Sequence, residues 1–125
     1  MPSPASPPEL GPLQLAWLGD AVWELHQRLS HCAAPARPRD LHLKVVAAVR
    51  AEAQARALGQ LEGLLREGER DLVRRGRNRA GRGPRSADAA TYGQATGFET
   101  LLGWLFLHDQ PRLDELLDHL QNINP

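Results

Sequence analysis

Leu13-Gln14-Leu15-Ala16-Trp17-Leu18-Gly19-Asp20-Ala21-Val22-Trp23-Glu24-Leu25 reads as a single helix. Leu15, Leu18, Val22, Leu25 and then Leu29 recur at spacings of three and four, the apolar stripe of an amphipathic helix. Asp20 lies opposite that stripe, yet its neighbours one turn away are Ala16, Trp17 and Trp23. The helix is apolar nearly all round, so Asp20 does not sit on an ordinary solvated face. Glu99 is placed similarly, with Ala95 and Thr96 behind it, Leu102 and Gly103 ahead and Phe98 beside it. Both acids are expected to be buried or half-buried.

Burying an ionised carboxylate is costly unless something compensates. No Lys or Arg occurs before Arg28, or between Arg85 and Arg112, to serve as a near partner in sequence. A bound cation solves this problem. Two hard oxygen ligands completed by water and substrate phosphate suit Mg²⁺, with Mn²⁺ as a substitute. Such an ion activates a water and stabilises charge on a phosphodiester as it is cleaved. Asp20 and Glu99 are therefore the candidate metal ligands and catalytic residues. The competing structural reading has them cap helices or pair with distant groups such as Arg28 or Lys44. Glu24, four residues from Asp20, is a candidate third ligand, but it also faces Arg28 at i+4, and a surface ion pair fits it better.

Outward from these two stretches, Pro35 and Pro38 end the first helix. Asp40 then precedes Leu41, Val45, Val49, Ala53 and Ala57, a composition that predicts a second helix ending at Gly59. Leu61, Leu64, Leu65, Leu72 and Val73 predict a third, interrupted near Gly68. The Arg- and Gly-rich segment from Gly76 to Arg85 has no periodicity and is expected to be a loop. A central apolar helix starts at about residue 90 and runs to His108. Pro111 suits the first turn of a last helix carrying Leu113, Leu116, Leu117 and Leu120.

With 125 residues, of which 42% are hydrophobic and few alternate, the chain is expected to form one all-α domain. Residues 13–125 make up that domain. Residues 1–12, with five prolines and no positive n-region, read as a disordered leader rather than a signal peptide. The strongly apolar stretches Leu13 to Leu25 and Phe98 to Leu107 are shorter than the ~20 residues that span a bilayer, and each holds an acid. No membrane partner is expected, and the default location is the cytoplasm. The single cysteine, Cys32, forms no internal disulfide and falls short of a zinc ligand count with His31, so it is read as buried or incidental. His108 beside Asp109 is read as a helix-end residue, where positive charge is favoured. The other histidines, 26, 31, 42 and 119, show no ligand spacing.

Net charge is zero, but the charges are segregated. Arg74, Arg75, Arg77, Arg79, Arg82 and Arg85 fall in one stretch without an acid, with Asn78 among them. Guanidinium groups contact phosphates bidentately, and glycines let the backbone approach, so the stretch is a candidate RNA-binding segment. The alternative is an ordinary solvated basic loop. No aromatic is interleaved, which favours a duplex backbone over stacked single-stranded bases.

At this point the residues resemble a family. Leu18-Gly19-Asp20-Ala21-Val22 is similar to the LGD[AS]V segment of the ribonuclease III endonuclease domain. Thr96-Gly97-Phe98-Glu99-Thr100-Leu101-Leu102-Gly103 resembles its later segment, in which a Glu precedes an apolar run. Arg75-Gly76-Arg77-Asn78, Ala87-Asp88 followed by Thr91-Tyr92, and the chain length resemble the Mini-III subfamily. The resemblance covers about Leu13 to Leu120. It implies the all-helical ribonuclease III fold as a homodimer, with Mg²⁺-dependent cleavage of double-stranded RNA to 5′-phosphate and 3′-hydroxyl ends. It also implies a role in maturing the 23S ribosomal RNA precursor, with a ribosomal protein as a further candidate partner. No double-stranded-RNA-binding domain is expected, so the catalytic dimer itself would hold RNA.

The chain departs from full-length ribonuclease III, which has further acids where this sequence has Leu13, Ala16 and Thr96. Mini-III enzymes share that leaner set. Before Thr96 the subfamily has Arg and Ser, whereas this chain reads Tyr92-Gly93-Gln94-Ala95, one RNA contact fewer. The alternatives to a nuclease are a catalytically silent duplex-RNA-binding or ribosome-assembly module and, third, a protein-interaction domain.

Overall fold

The computed structural model describes residues 9–33, 35, 37–48, 50–85 and 88–123. Among them are six helices: α1 (Pro12–His31), α2 (Pro38–Ala48), α3 (Ala51–Leu61), α4 (Glu67–Arg79), α5 (Ala89–His108) and α6 (Gln110–Ile123). No strand occurs among the described residues, so the all-α expectation holds. The first eight residues of the expected leader lie outside the described residues, and α1 already begins at Pro12.

Helix α5 is the axis of the molecule. Eleven of its twenty residues are buried, which requires neighbours on nearly every side. Helices α1, α3, α4 and α6 supply them. Phe98, Leu101, Leu102 and Leu105 of α5 meet Trp23 of α1, Leu58 and Leu61 of α3, Leu72 and Val73 of α4, and Leu113, Leu116, Leu117 and Leu120 of α6 in one core. Trp23 packs edge-on against Phe98, ring centroids 5.1 Å apart, an arrangement favoured by the ring quadrupoles. Asp88 caps α5, its carboxylate accepting from the Thr91 N–H at 3.1 Å.

Glycines decide how closely α5 is approached. A Cβ on Gly19 would overlap the Glu99 carbonyl oxygen, and one on Gly103 would overlap that of Leu15, so α1 and α5 touch backbone to backbone. On another face of α5, a Cβ on Gly76 would collide with Thr100, and one on Gly97 with the Val73 carbonyl. The glycines that weaken a propensity-based reading of α5 are its contact surface.

Several boundaries differ from the sequence expectation. The single second helix is two, broken around residue 50, and Gly59 lies inside α3 rather than ending it. The expected third helix is a splice of two elements: Leu61 closes α3, while α4 starts at Glu67 with Gly68 in its first turn. That start is fixed by Glu69, whose Oε1 accepts from the Arg66 N–H at 2.8 Å, a cap that outweighs the poor helix propensity of Gly68. Cys32 is exposed, because it caps the end of α1 instead of continuing its buried stripe.

Helix α6 is locked down by a buried ion pair. Arg112 donates from Nε to Glu69 Oε2 at 2.8 Å and from Nη2 to Glu69 Oε1 at 2.9 Å. It also donates to the Leu64 carbonyl at 2.7 Å and to Glu115 at 3.0 Å. The two side chains retain only 11% and 8% exposure. Removing one partner strands a buried charge. Arg112→Ala is therefore expected to lower stability by about 3–5 kcal/mol in urea denaturation, and Arg112→Lys to recover only part, lacking the bidentate fork.

Candidate active site

Asp20 and Glu99 are brought together by the α1–α5 contact. Gly19, immediately before Asp20, rests on the carbonyl of Glu99, so the two acids cannot be far apart. Their carboxyl groups share a hydrogen bond. Burial pushes the Glu99 carboxyl up to about 8, and the hydrogen bond and negative charge of Asp20 push in the same direction. The burial expectation is half right: Glu99 is half-buried, but Asp20 is exposed at the rim. Asp20 lies one turn beyond Trp17 on the outer side of α1, where among the described residues Trp17 itself is 82% exposed.

A third side chain enters from α3. Gln54 is buried, with 3% exposure, and its Nε2 donates to Glu99 Oε2 at 3.4 Å. That bond opposes the rise in the Glu99 carboxyl without reversing it. Sequence reasoning missed Gln54, although a signal was present. It occupies the first place of the stripe Gln54, Ala57, Leu58, Leu61, spaced as a buried helix face.

The residues fit a hard divalent cation. Two carboxylates are adjacent, and among the described residues no Lys or Arg forms a salt bridge with either. Arg28, the distant partner considered from sequence, pairs with Glu24 at 3.1 Å, the surface ion pair expected there. The side chain of Lys44, the other, lies outside the described residues. Among the described residues no set of three or more His, Cys, Asp or Glu could hold a metal. Asp20 and Glu99 would thus supply two oxygens, with water and phosphate filling the rest, the coordination that Mg²⁺ prefers.

This pairing has a consequence for stability. Between pH 4.5, the ordinary carboxyl value, and about 8, folded Glu99 holds a proton that the unfolded chain has released. Stability from this group therefore falls as pH rises through that window. In EDTA the thermal midpoint of the native protein is expected to decline relative to Glu99→Gln from pH 4.5 to 8. A difference that stays flat would show that Glu99 ionises normally.

The arginines are arranged differently from the expected loop. Arg74, Arg75, Arg77, Asn78 and Arg79 lie on α4, and only Arg82 and Arg85 follow it. Arginine is a good helix former, and Gly76 serves close packing against α5 rather than flexibility. All seven side chains are exposed. Arg74 and Asn78 lie on the side of α4 away from buried Gly76, and Arg74 pairs with Asp71. Arg77 lies against Gly93 of α5, six residues before Glu99 and so roughly 9 Å along the helix. Arg75, with Leu15, Leu72, Trp104 and His108, lines a cavity of about 460 Å³. His108 ends α5, as expected, and stacks on Trp104 at 4.5 Å. Arg82 donates to the Pro84 carbonyl at 3.4 Å in the segment after α4, where Gly83, at φ +76°, lets the backbone pass under the Tyr92 ring.

Comparison with known proteins places this arrangement. The ribonuclease III domain family matches residues 13–110. A Mini-ribonuclease 3 from Synechococcus sp. is 51% identical over 94% of this chain and 86% of its own length. Another from Symbiobacterium thermophilum is 48% identical over 90% of this chain and 89% of its own length. A crystal structure of a protein from Fusobacterium nucleatum superposes with a TM-score of 0.83 at 25% identity, covering 94% of this chain and 96% of that one. The match spans both acids and every arginine on α4, and the chain belongs to the ribonuclease III family, in its Mini-ribonuclease 3 branch.

Proposed function

We propose that this chain is an endoribonuclease that hydrolyses double-stranded RNA with Mg²⁺, Mn²⁺ substituting, and that its substrate is the 23S ribosomal RNA precursor. The observation that carries the reading is the contact between Asp20 and Glu99, two carboxylates without a cationic partner among the described residues, in a chain whose α4 carries exposed arginines. Bound Mg²⁺ would supply an activated water and offset charge on the phosphodiester. Asp20, exposed, reaches toward solvent and substrate, while half-buried Glu99 is held by the protein. Arg77, Asn78, Arg79, Arg82 and Arg85 hold phosphates of the duplex, and Arg74 and Arg75 extend the positive field. Hydrolysis breaks the bond to the 3′ oxygen, leaving a 3′-hydroxyl and a 5′-phosphate.

The working unit of the proposal is a homodimer built on residues 13–125 and acting in the cytoplasm, with a ribosomal protein presenting the RNA. Leu13 and Trp17, exposed by 50% and 82%, form the apolar surface that a second copy would cover. Among the described residues no helix is long and apolar enough to cross a membrane.

The test is a labelled RNA duplex incubated with the protein, with and without Mg²⁺, and resolved on a denaturing gel. Products ending in 5′-phosphate that appear only with the ion support the proposal. Salt-dependent binding without product, across several duplexes, would instead make the chain a silent RNA-binding module.

A further inference from the structure

We infer that Gln54 is a positioning residue of the carboxylate pair: its amide fixes the Glu99 carboxylate in the orientation in which, together with Asp20, it holds a divalent cation. The inference rests on the proposed function above and assigns a third helix, α3, to the site.

Burial is the first argument. Gln54 opens a stripe whose other members are Ala57, Leu58 and Leu61, and it is 3% exposed. Burying an amide without hydrogen bonds is costly, a cost that an apolar side chain at this place would avoid. Glu99 is a partner for that amide: its Oε2 accepts from Gln54 Nε2 at 3.4 Å.

Charge is the second. A Lys or Arg at this position would neutralise the carboxylate and compete with a metal for its lone pairs. An amide N–H is a neutral donor, so it orients the oxygen and leaves the site's negative charge available. The backbone completes the arrangement. Gly19 lets the α1 backbone approach α5 at Glu99, and Gln54 reaches the tip of the Glu99 side chain, so three rotatable bonds are restrained at their far end. With two acidic ligands rather than a larger set, their orientation carries more of the metal affinity.

The test uses the full chain without RNA. Free Mn²⁺ is followed by electron paramagnetic resonance as protein is titrated, comparing the native protein with Gln54→Met, which keeps volume and helix propensity but cannot donate. The expected result is a roughly 10–100-fold loss of Mn²⁺ affinity, with the thermal midpoint in EDTA within a few degrees of native and duplex KM little changed. Unaltered Mn²⁺ affinity in a folded Gln54→Met variant overturns the inference, whatever happens to cleavage.

If that variant does not fold, the native protein carries the test by NMR. The Gln54 side-chain amide signals should move on addition of Mg²⁺, and signals that stay fixed at saturation overturn the inference. Should the native protein itself neither bind Mn²⁺ nor cleave RNA, the parent reading falls and this one with it. Native binding and cleavage with an indifferent Gln54 would remove the inference alone.

Discussion

Asp20→Asn is expected to reduce magnesium-dependent cleavage of duplex RNA by about 10³-fold or more while leaving the protein folded. The substitution keeps shape and removes one of the two negative charges that would hold the ion. A loss of ~4 kcal/mol in transition-state stabilisation corresponds to that factor. Stability should not suffer, because Asp20 is exposed and its charge opposes ionisation of Glu99. Glu99→Gln should be as inactive, and in EDTA near pH 8 it should melt above the native protein, since it no longer has to ionise a half-buried carboxyl. The pair is expected to behave as a unit, so the double variant should lose little beyond either single one. Single-turnover gel assays with a circular-dichroism melt decide the matter. Full cleavage by either variant with Mg²⁺ present would remove the proposed mechanism.

Gly19→Ala and Gly103→Ala are expected to be the most damaging substitutions for the fold. Alanine is favoured over glycine in a helix by about 1 kcal/mol, so propensity alone predicts stabilisation. The added methyl, however, would overlap a backbone carbonyl, Glu99 for Gly19 and Leu15 for Gly103. No rotamer change relieves a collision with main chain, and the helices must separate. Overpacking of this kind costs about 3 kcal/mol or more, which outweighs the gain. Separation also moves Asp20 away from Glu99, so any folded remainder should lose cation binding along with stability. Gly59→Ala and Gly68→Ala are the controls: both are helical and have nothing within 4 Å of the added Cβ, and both should be neutral or mildly stabilising. Urea denaturation of the four variants tests the contrast, and equal behaviour across them would refute the close-packing account.

How far the sequence reached is clearest residue by residue. The wholly apolar α5 and the leucines of α6 were legible because helical burial repeats every three to four residues; in α1 the helix was legible but its buried face was not, since Leu25 and Leu29 of the expected stripe are exposed while Leu15, Ala16, Gly19 and Trp23 are buried. Asp20 and Glu99 stood out for the same reason, as acids in helices with no polar face to place them on. The surface ion pair of Glu24 with Arg28 was legible because both partners lie on one helix, four residues apart. The break near residue 50 and the start of α4 were not, because they depend on which carbonyls and N–H groups find partners elsewhere. Glu69 fixes both the cap of α4 and the Arg112 pair across 43 residues of sequence. The arginine segment was misread as a loop because Gly76 signals flexibility in isolation and close packing only once Thr100 and Gly97 are opposite it. Gln54 was passed over because a glutamine in an alanine-rich helix has no chemistry until Glu99 is beside it.

By itself, then, the sequence determined that this protein is helical, that a central apolar helix runs from about residue 90 to His108, and that Asp20 and Glu99 are its chemically conspicuous acids. Only the tertiary structure decided that those acids meet, that Gln54 joins them, and that Arg75 lines a cavity with residues of α1 and α5. The physical reason is that helical periodicity is written within a few consecutive residues. The distance between two carboxylates 79 residues apart is set by how closely two helices can cross, and here that depends on the two hydrogens that Gly19 and Gly103 present in place of side chains.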